Sequence, residues 1–206
     1  MPERGALITN HTGYLDIITL ASLSPVVFFS KAELEHTPVI GFMATAAGTV
    51  YVERGAGGSS QRARSGLKEA AELGVPVVFF PEGTTTNGRE LLPFRSGLLG
   101  EALGAEEPVT AAHLRYTFDV DNGPDASVED DVCFWGDVSL LPHVAKFLKL
   151  NGVHAWVRIA PAPIEFSAEA LADRKIAAVE AREAILALAG PGFYPAEAAE
   201  PALTAS

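Results

Sequence analysis

The chain has 206 residues, is 48% hydrophobic and 20% charged, and carries a formal net charge of −11. That length supports one domain burying roughly 70% of its unfolded surface, so no staple is required, and the single Cys133 excludes an internal disulfide framework. The acidic balance makes nucleic acid an unfavourable partner, and neither a secretory pattern nor an apolar run of the roughly 20 residues that a spanning helix needs is expected.

Strand-like runs near 5–10, 26–30, 48–52, 75–80, 109–114, 132–135 and 153–159 alternate with helix-like stretches near 16–23, 38–46, 59–73, 95–103, 139–149 and 168–188. This alternation predicts a single-domain α/β sandwich over residues 1–194, with a mixed, largely parallel central sheet flanked by helices. The first run ends in Asn10-His11-Thr12-Gly13-Tyr14-Leu15-Asp16. A neutral imidazole takes a proton from a hydroxyl when one ring nitrogen is free and a carboxylate holds the proton on the other, and His11 and Asp16 supply both groups. Five residues are about 140° apart on a continuous helix, so the pair needs a turn between them, which Gly13 permits; Asp16 then falls in the first turn of the helix-like stretch. Taken alone, the same residues also read as an aspartate that starts a helix beside a surface histidine.

The next stretches, 17–30 and 36–52, are uncharged but interrupted by Pro25, Pro38, Gly41 and Gly48; Ile40, Phe42 and Met43 fit core packing, with an acyl groove as the alternative. Arg54, Arg62, Arg64 and Lys68 form a basic cluster that either binds phosphate or is a solvated helix face. Gly55-Ala56-Gly57-Gly58 hints at a dinucleotide loop but lacks its third glycine. Val75–Phe80 is a β-branched and aromatic run ending in Pro81-Glu82-Gly83-Thr84-Thr85-Thr86-Asn87-Gly88, a second polar loop with a carboxylate at a strand exit. Arg89-Glu90 replaces the Lys-Ser/Thr of a phosphate loop, and Pro93 interrupts the helix that should follow, so nucleotide binding is not expected.

Acidity is concentrated late: nine Lys/Arg against twelve Asp/Glu up to Tyr116 give −3, whereas six against fourteen beyond it give −8. Residues 119–131 read as an acidic surface loop, Val132–Trp135 as a buried strand holding Cys133, and Asp137 as a helix-entry residue before Ser139-Leu140-Leu141. His36, His113, His143 and His154 show no metal-ligand spacing and read as structural or surface residues, so no metal is expected. Ala168–Ala189 reads as one helix stopped by Gly190-Pro191, and residues 195–206 as a mobile C-terminal tail.

The ordered blocks resemble the glycerolipid acyltransferase superfamily that includes 1-acylglycerol-3-phosphate acyltransferases. Asn10-His11 through Asp16 is similar to its first block, Gly48–Arg54 to its second and Phe80–Thr84 to its third; Pro108–Tyr116 resembles its fourth, with Ala111 where proline is frequent. Together they cover residues 5–116, and Phe134–His143 resembles a segment of some bacterial lysolipid acyltransferases. The resemblance implies an O-acyltransferase in which His11 is the general base, Asp16 orients it and Glu82 positions the acceptor, with Asn10, Arg54, Gly83, Thr84 and Thr85 at the substrates. It implies acyl-CoA or acyl-carrier-protein as donor, with no further cofactor, and a lysophospholipid, 1-acylglycerol-3-phosphate or related lysolipid as acceptor.

Many lysophosphatidate enzymes carry Arg-Ser after Glu-Gly-Thr, whereas Thr85-Thr86-Asn87 follow here, and a threonine hydroxyl does not replace a bidentate guanidinium at a phosphate. The acceptor choice therefore widens to other lysolipids such as lyso-ornithine lipid, with lysophosphatidate retained through Arg54 or Arg89, and a noncatalytic lipid-binding module is the alternative function. Nine residues before Asn10 are too few for the apolar anchor frequent in the family, so either the chain is shortened or docking uses another surface, and peripheral attachment to the cytoplasmic face of a membrane is expected.

Overall fold

Ala6-Leu7-Ile8 is apolar without alternation, as a strand covered on both faces must be, and it lies at the centre of the sheet with all three residues fully buried. The computed structural model describes residues 1–31, 50–52 and 59–194. Strands Ala6–Ile8 (β1), Val27–Lys31 (β2), Val50–Val52 (β3), Val77–Phe79 (β4), Val109–Thr117 (β5) and His154–Ile159 (β6) form one sheet in the order β3-β2-β4-β1-β5-β6. The first five are parallel and β6 is antiparallel to β5, which is the mixed, largely parallel sheet expected from the alternation.

Helices Tyr14–Leu23 (α1), Ser59–Glu72 (α2), Ser96–Gly104 (α3), Val128–Asp131 (α4), Leu140–Phe147 (α5), Ala168–Ala172 (α6) and Arg174–Ala189 (α7) complete the described elements. The period-2 geometry of the strands divides their side chains between two cores. Ala6, Ile8, Val77, Phe79 and Ala111 face Leu67, Leu99 and Ile185 of α2, α3 and α7. Leu7, Val78, Ala112 and Leu114 face Leu20 of α1 on the other side.

Register positions the site. Ile8 lies beside Phe79 on one flank and Ala111 on the other, so the chain leaving β1 and the chain leaving β4 emerge side by side. β5 runs on to Thr117, and its last residues therefore line the loop that follows β1. Ligand sites in open parallel sheets gather at this carboxyl end of the strands.

Several expectations need correction. Val132–Trp135 is not a strand: the free edge of β5 is taken by β6, and the segment lies across the loop after β1, with Phe134 N donating to Thr12 O at 2.8 Å. The acidic stretch is not wholly a solvated loop, because Asp131 is buried, accepts from Ser127 N and pairs with Lys146 Nζ at 2.6 Å. Ala168–Ala189 is broken at Asp173, whose extended backbone and side-chain bond to Lys175 N make it the N-cap of α7. Asp137 is exposed and Ser139 holds the N-cap position of α5 instead. The stretch 38–46, Ile40, Phe42, Met43, His36, Arg54 and the tail 195–206 lie outside the described residues.

Candidate active site

α1 begins at Tyr14, which places Asp16 in its first turn and leaves His11 on the preceding loop. The intervening turn is tight: a Cβ on Gly13 would stand 2.9 Å from Phe134 N and 3.0 Å from Phe134 Cβ, so only glycine lets the 132–135 segment close over it. Asp16, with no exposed surface, is held by five donors. Its Oδ2 accepts from His11 Nδ1 at 2.8 Å, Thr12 N at 2.6 Å and Gly13 N at 3.0 Å; its Oδ1 accepts from Thr12 Oγ1 at 2.8 Å and Tyr116 OH at 3.0 Å.

A carboxylate so placed can only accept, which fixes the ring proton on Nδ1 and leaves Nε2 with its lone pair. The His11 side chain is 17% exposed, and its ring stacks on Phe80 with centroids 3.8 Å apart and planes 13° apart. The geometry is that of a base whose tautomer and orientation are set from behind.

Tyr116 comes from the far end of β5. Burial, with the Asp16 charge beside it, pushes its phenol strongly upward, so it remains a donor. Because its proton is committed to Asp16, Thr19 Oγ1 donates to the phenol oxygen at 3.2 Å. Removing this hydroxyl by Tyr116→Phe should lower kcat about tenfold, the scale of one hydrogen bond to a charged group, while both Michaelis constants stay near their original values. Steady-state kinetics alongside a denaturation curve check this; a loss confined to stability would make Tyr116 a packing residue only.

Glu82 faces inward. Its Oε1 accepts from His11 N at 2.8 Å and its Oε2 from Leu92 N at 2.9 Å, and the residue is 2% exposed. Burial pushes this carboxyl up to about 8, against the two backbone amides, which favour its ionised form. A raised folded-state value means that the contribution of Glu82 to stability is present below the unfolded carboxyl range and is lost as pH rises through about 8. The buried rings His113, pushed down to about 4, and His143, also lowered by burial, act in the opposite sense but at lower pH. Between pH 7 and 9 the wild type should therefore lose stability to denaturant that Glu82→Gln does not lose. Parallel curves for the two proteins across that range would overturn this reading of the carboxyl.

The other expected contacts separate into two groups. Asn10 is buried: its Oδ1 accepts from Leu114 N and Thr9 Oγ1, and its Nδ2 donates to Leu114 O at 2.8 Å. Its amide clamps the loop to β5 through the backbone of Leu114. Gly83, at a φ of 71° that suits glycine, turns the chain so that Thr84 is exposed and Thr85 half-buried at the rim.

Three further groups hold the site without having been singled out for it. Arg182, buried on α7, donates through Nε at 3.1 Å and Nη2 at 2.7 Å to Leu91 O, the residue before the one that bonds Glu82. The sequence does carry a signal for it, an arginine inside the apolar stripe Ala178, Ala181, Ile185. His143 Nε2 donates to Cys133 O at 3.0 Å, so its Nδ1 accepts from Tyr14 OH at 3.1 Å. Thr86 N donates to His11 O at 3.0 Å, linking the two strand-exit loops.

Comparison with known proteins bears on this geometry. The family described as Acyltransferase matches residues 2–113, a span that contains His11, Asp16 and Glu82. The chain belongs to that family. A lyso-ornithine lipid O-acyltransferase of Pseudomonas aeruginosa is 37% identical over 142 residues, covering 69% of this chain and 52% of the relative. One of Brucella abortus is 33% identical over 176 residues, covering 82% and 65%. A 1-acyl-sn-glycerol-3-phosphate acyltransferase of Neisseria meningitidis is 35% identical over 115 residues, covering 56% and 45%. The matched part thus spans about half to two thirds of these lyso-ornithine relatives. The crystal structure of the 1-acyl-sn-glycerophosphate acyltransferase from Thermotoga maritima shares the fold, with a TM-score of 0.50 at 20% identity over 88% of this chain and 65% of that one. Within this acyltransferase-family chain, Tyr116, Phe134, His143 and Arg182 lie beyond the matched residues yet support the loops inside them.

Proposed function

We propose that the chain is a lysolipid O-acyltransferase that moves a fatty acyl group from a thioester donor directly to the acceptor hydroxyl. The observation that carries this reading is the His11 Nδ1–Asp16 Oδ2 contact of 2.8 Å, on a carboxylate buried beneath four other donors. His11 Nε2 takes the acceptor's hydroxyl proton as its oxygen attacks the thioester carbonyl. The tetrahedral intermediate then collapses, its C–S bond breaks, and the departing thiolate receives the proton from the imidazolium. No acyl-enzyme is required. Glu82 is a positioning residue in this scheme, since its carboxyl holds the His11 backbone, and Gly83, Thr84, Thr85 and Arg54 are the proposed substrate contacts.

The acceptor we favour is lyso-ornithine lipid. Thr85 and Thr86 stand where a phosphate-binding arginine would be needed, and relatives named for that lipid match across more of this chain than the Neisseria lysophosphatidate enzyme does. Acyl-CoA or acyl-carrier-protein is the proposed donor, and the cytoplasmic surface of a membrane the proposed place of work. None of the described helices is long and apolar enough to cross a membrane. Purified protein given each donor in turn, with mixed micelles of lyso-ornithine lipid, lysophosphatidate and a neutral lysolipid, tests the proposal by mass analysis of the products. A new diacylated ornithine lipid is the expected outcome, and no acylated product from any acceptor would overturn it.

A further inference from the structure

At the rim of the site one ion pair joins the loop after β4 to α4. Arg89 Nε donates to Glu129 Oε1 at 2.9 Å. The pair is close to the chemistry: Thr86 bonds the His11 carbonyl, and a Cβ on Gly88 would lie 3.6 Å from Thr12 Cγ2 and 3.7 Å from Cys133 Sγ. Arg89 N is fixed by Asn87 Oδ1 at 3.0 Å, and the Glu129 backbone by Trp135 Nε1 at 3.0 Å. Both side chains are nevertheless accessible, the guanidinium at 71% and the carboxylate at 30%. An exposed pair of this kind adds little to stability, so fold maintenance does not account for two opposite charges anchored at this rim.

Their chemistry suits a zwitterion. Arg89 spends one of its five N–H donors on Glu129, which leaves the guanidinium edge for an anion; Glu129 Oε2 is left for a cation. We propose that Arg89 and Glu129 form a headgroup subsite for an acceptor carrying both a carboxylate and an ammonium, the carboxylate on Arg89 and the ammonium on Glu129. This rests on the lysolipid acyltransferase reading and deepens it. An N-acylated ornithine carries those two groups. A phosphate monoester carries only negative charge, and Glu129 repels it while neutralising the Arg89 guanidinium. The same pair thus selects for one headgroup and against the other, as an attractive contact coupled to a repulsive one does.

The experiment compares wild type, Arg89→Gln and Glu129→Gln on lyso-ornithine lipid, lysophosphatidate and a neutral lysolipid in identical mixed micelles with acyl-CoA. Both variants should lose about tenfold in kcat/KM for lyso-ornithine lipid, the scale of one charge-assisted contact, with the neutral lysolipid unchanged. Glu129→Gln should also raise kcat/KM for lysophosphatidate, since it frees Arg89. Acceptor ratios within twofold of wild type in both variants would overturn the subsite while leaving the acyltransferase reading intact, and so would a wild type that acylates lysophosphatidate alone. If the wild type acylates no acceptor, the acyltransferase reading fails, and binding judges the subsite instead. A Trp156→Phe background leaves Trp135 as the reporting indole for a lyso-ornithine lipid titration. Weaker binding in both variants supports the subsite, and equal binding overturns it.

Discussion

His11→Ala should reduce acyl transfer by roughly 10²–10⁴-fold while leaving the fold in place, because a positioned general base contributes about that much to a proton-transfer step. The side chain it removes is partly exposed and makes one side-chain hydrogen bond and one ring stack, on Phe80. Losing such a stack costs on the order of 1 kcal/mol, a small part of a domain's stability. The main chain at position 11 should stay where it is, since its N–H is held by Glu82 and its carbonyl by Thr86 N, neither of which needs the imidazole. Turnover at saturating donor and acceptor, with a circular dichroism spectrum to certify the fold, is the measurement. Wild-type turnover in this variant would remove His11 from the mechanism altogether.

Asp16→Asn is expected to be as damaging to activity and much more damaging to the structure. The wild-type side chain accepts five hydrogen bonds, three at Oδ2 and two at Oδ1. An amide has one accepting oxygen, so whichever way it is turned at least two donors face its NH₂ group. If the oxygen replaces Oδ1, then His11 Nδ1, Thr12 N and Gly13 N lose their acceptor, and the imidazole is driven to the other tautomer with its lone pair turned inward. If the oxygen replaces Oδ2, the Tyr116 and Thr12 hydroxyls must reorient. A fall of up to about 10⁴-fold in kcat is expected from the lost tautomer, the loss seen when the aspartate of a catalytic triad becomes asparagine. Each stranded buried donor adds about 1–3 kcal/mol of destabilisation. Denaturant midpoints and kcat should therefore both fall, and a variant with wild-type kcat would separate Asp16 from the chemistry.

Much of this site was legible because its two halves sit at the ends of strands that announce themselves. Gly5–Thr9 and Val75–Phe80 are short apolar runs bounded by polar, glycine-containing turns, and parallel pairing of Ile8 with Phe79 brings His11 to Glu82 without further information. What resisted reading depends on partners distant in sequence. Val132–Trp135 has the composition of a strand, but composition does not say that β6 occupies the edge it would need, and its Phe134 amide goes to Thr12 instead. The backbone amides that both Glu82 oxygens accept from, at His11 and Leu92, are likewise not written in the local sequence. The bonds of Asn10 to the backbone of β5 depend in the same way on a strand more than a hundred residues away. Asp173 breaks a helix that composition favours throughout, because a cap is decided by local backbone geometry and not by helical propensity.

Three of the bonds that fasten the site join residues far apart along the chain: Asn10 with Leu114 across 104 positions, Asp16 with Tyr116 across 100 and Leu91 with Arg182 across 91. Contacts of such range form only after large loops have closed, at an entropic cost that local structure cannot offset alone. A partly folded chain with β1 and α1 in place but α7 undocked lacks the Arg182 fastening under the Leu91–Leu92 turn, and without the end of β5 it lacks the Tyr116 phenol. The chemistry proposed for His11 therefore depends on the end of β5 and on α7 as well as on the two loops that meet at His11 and Glu82.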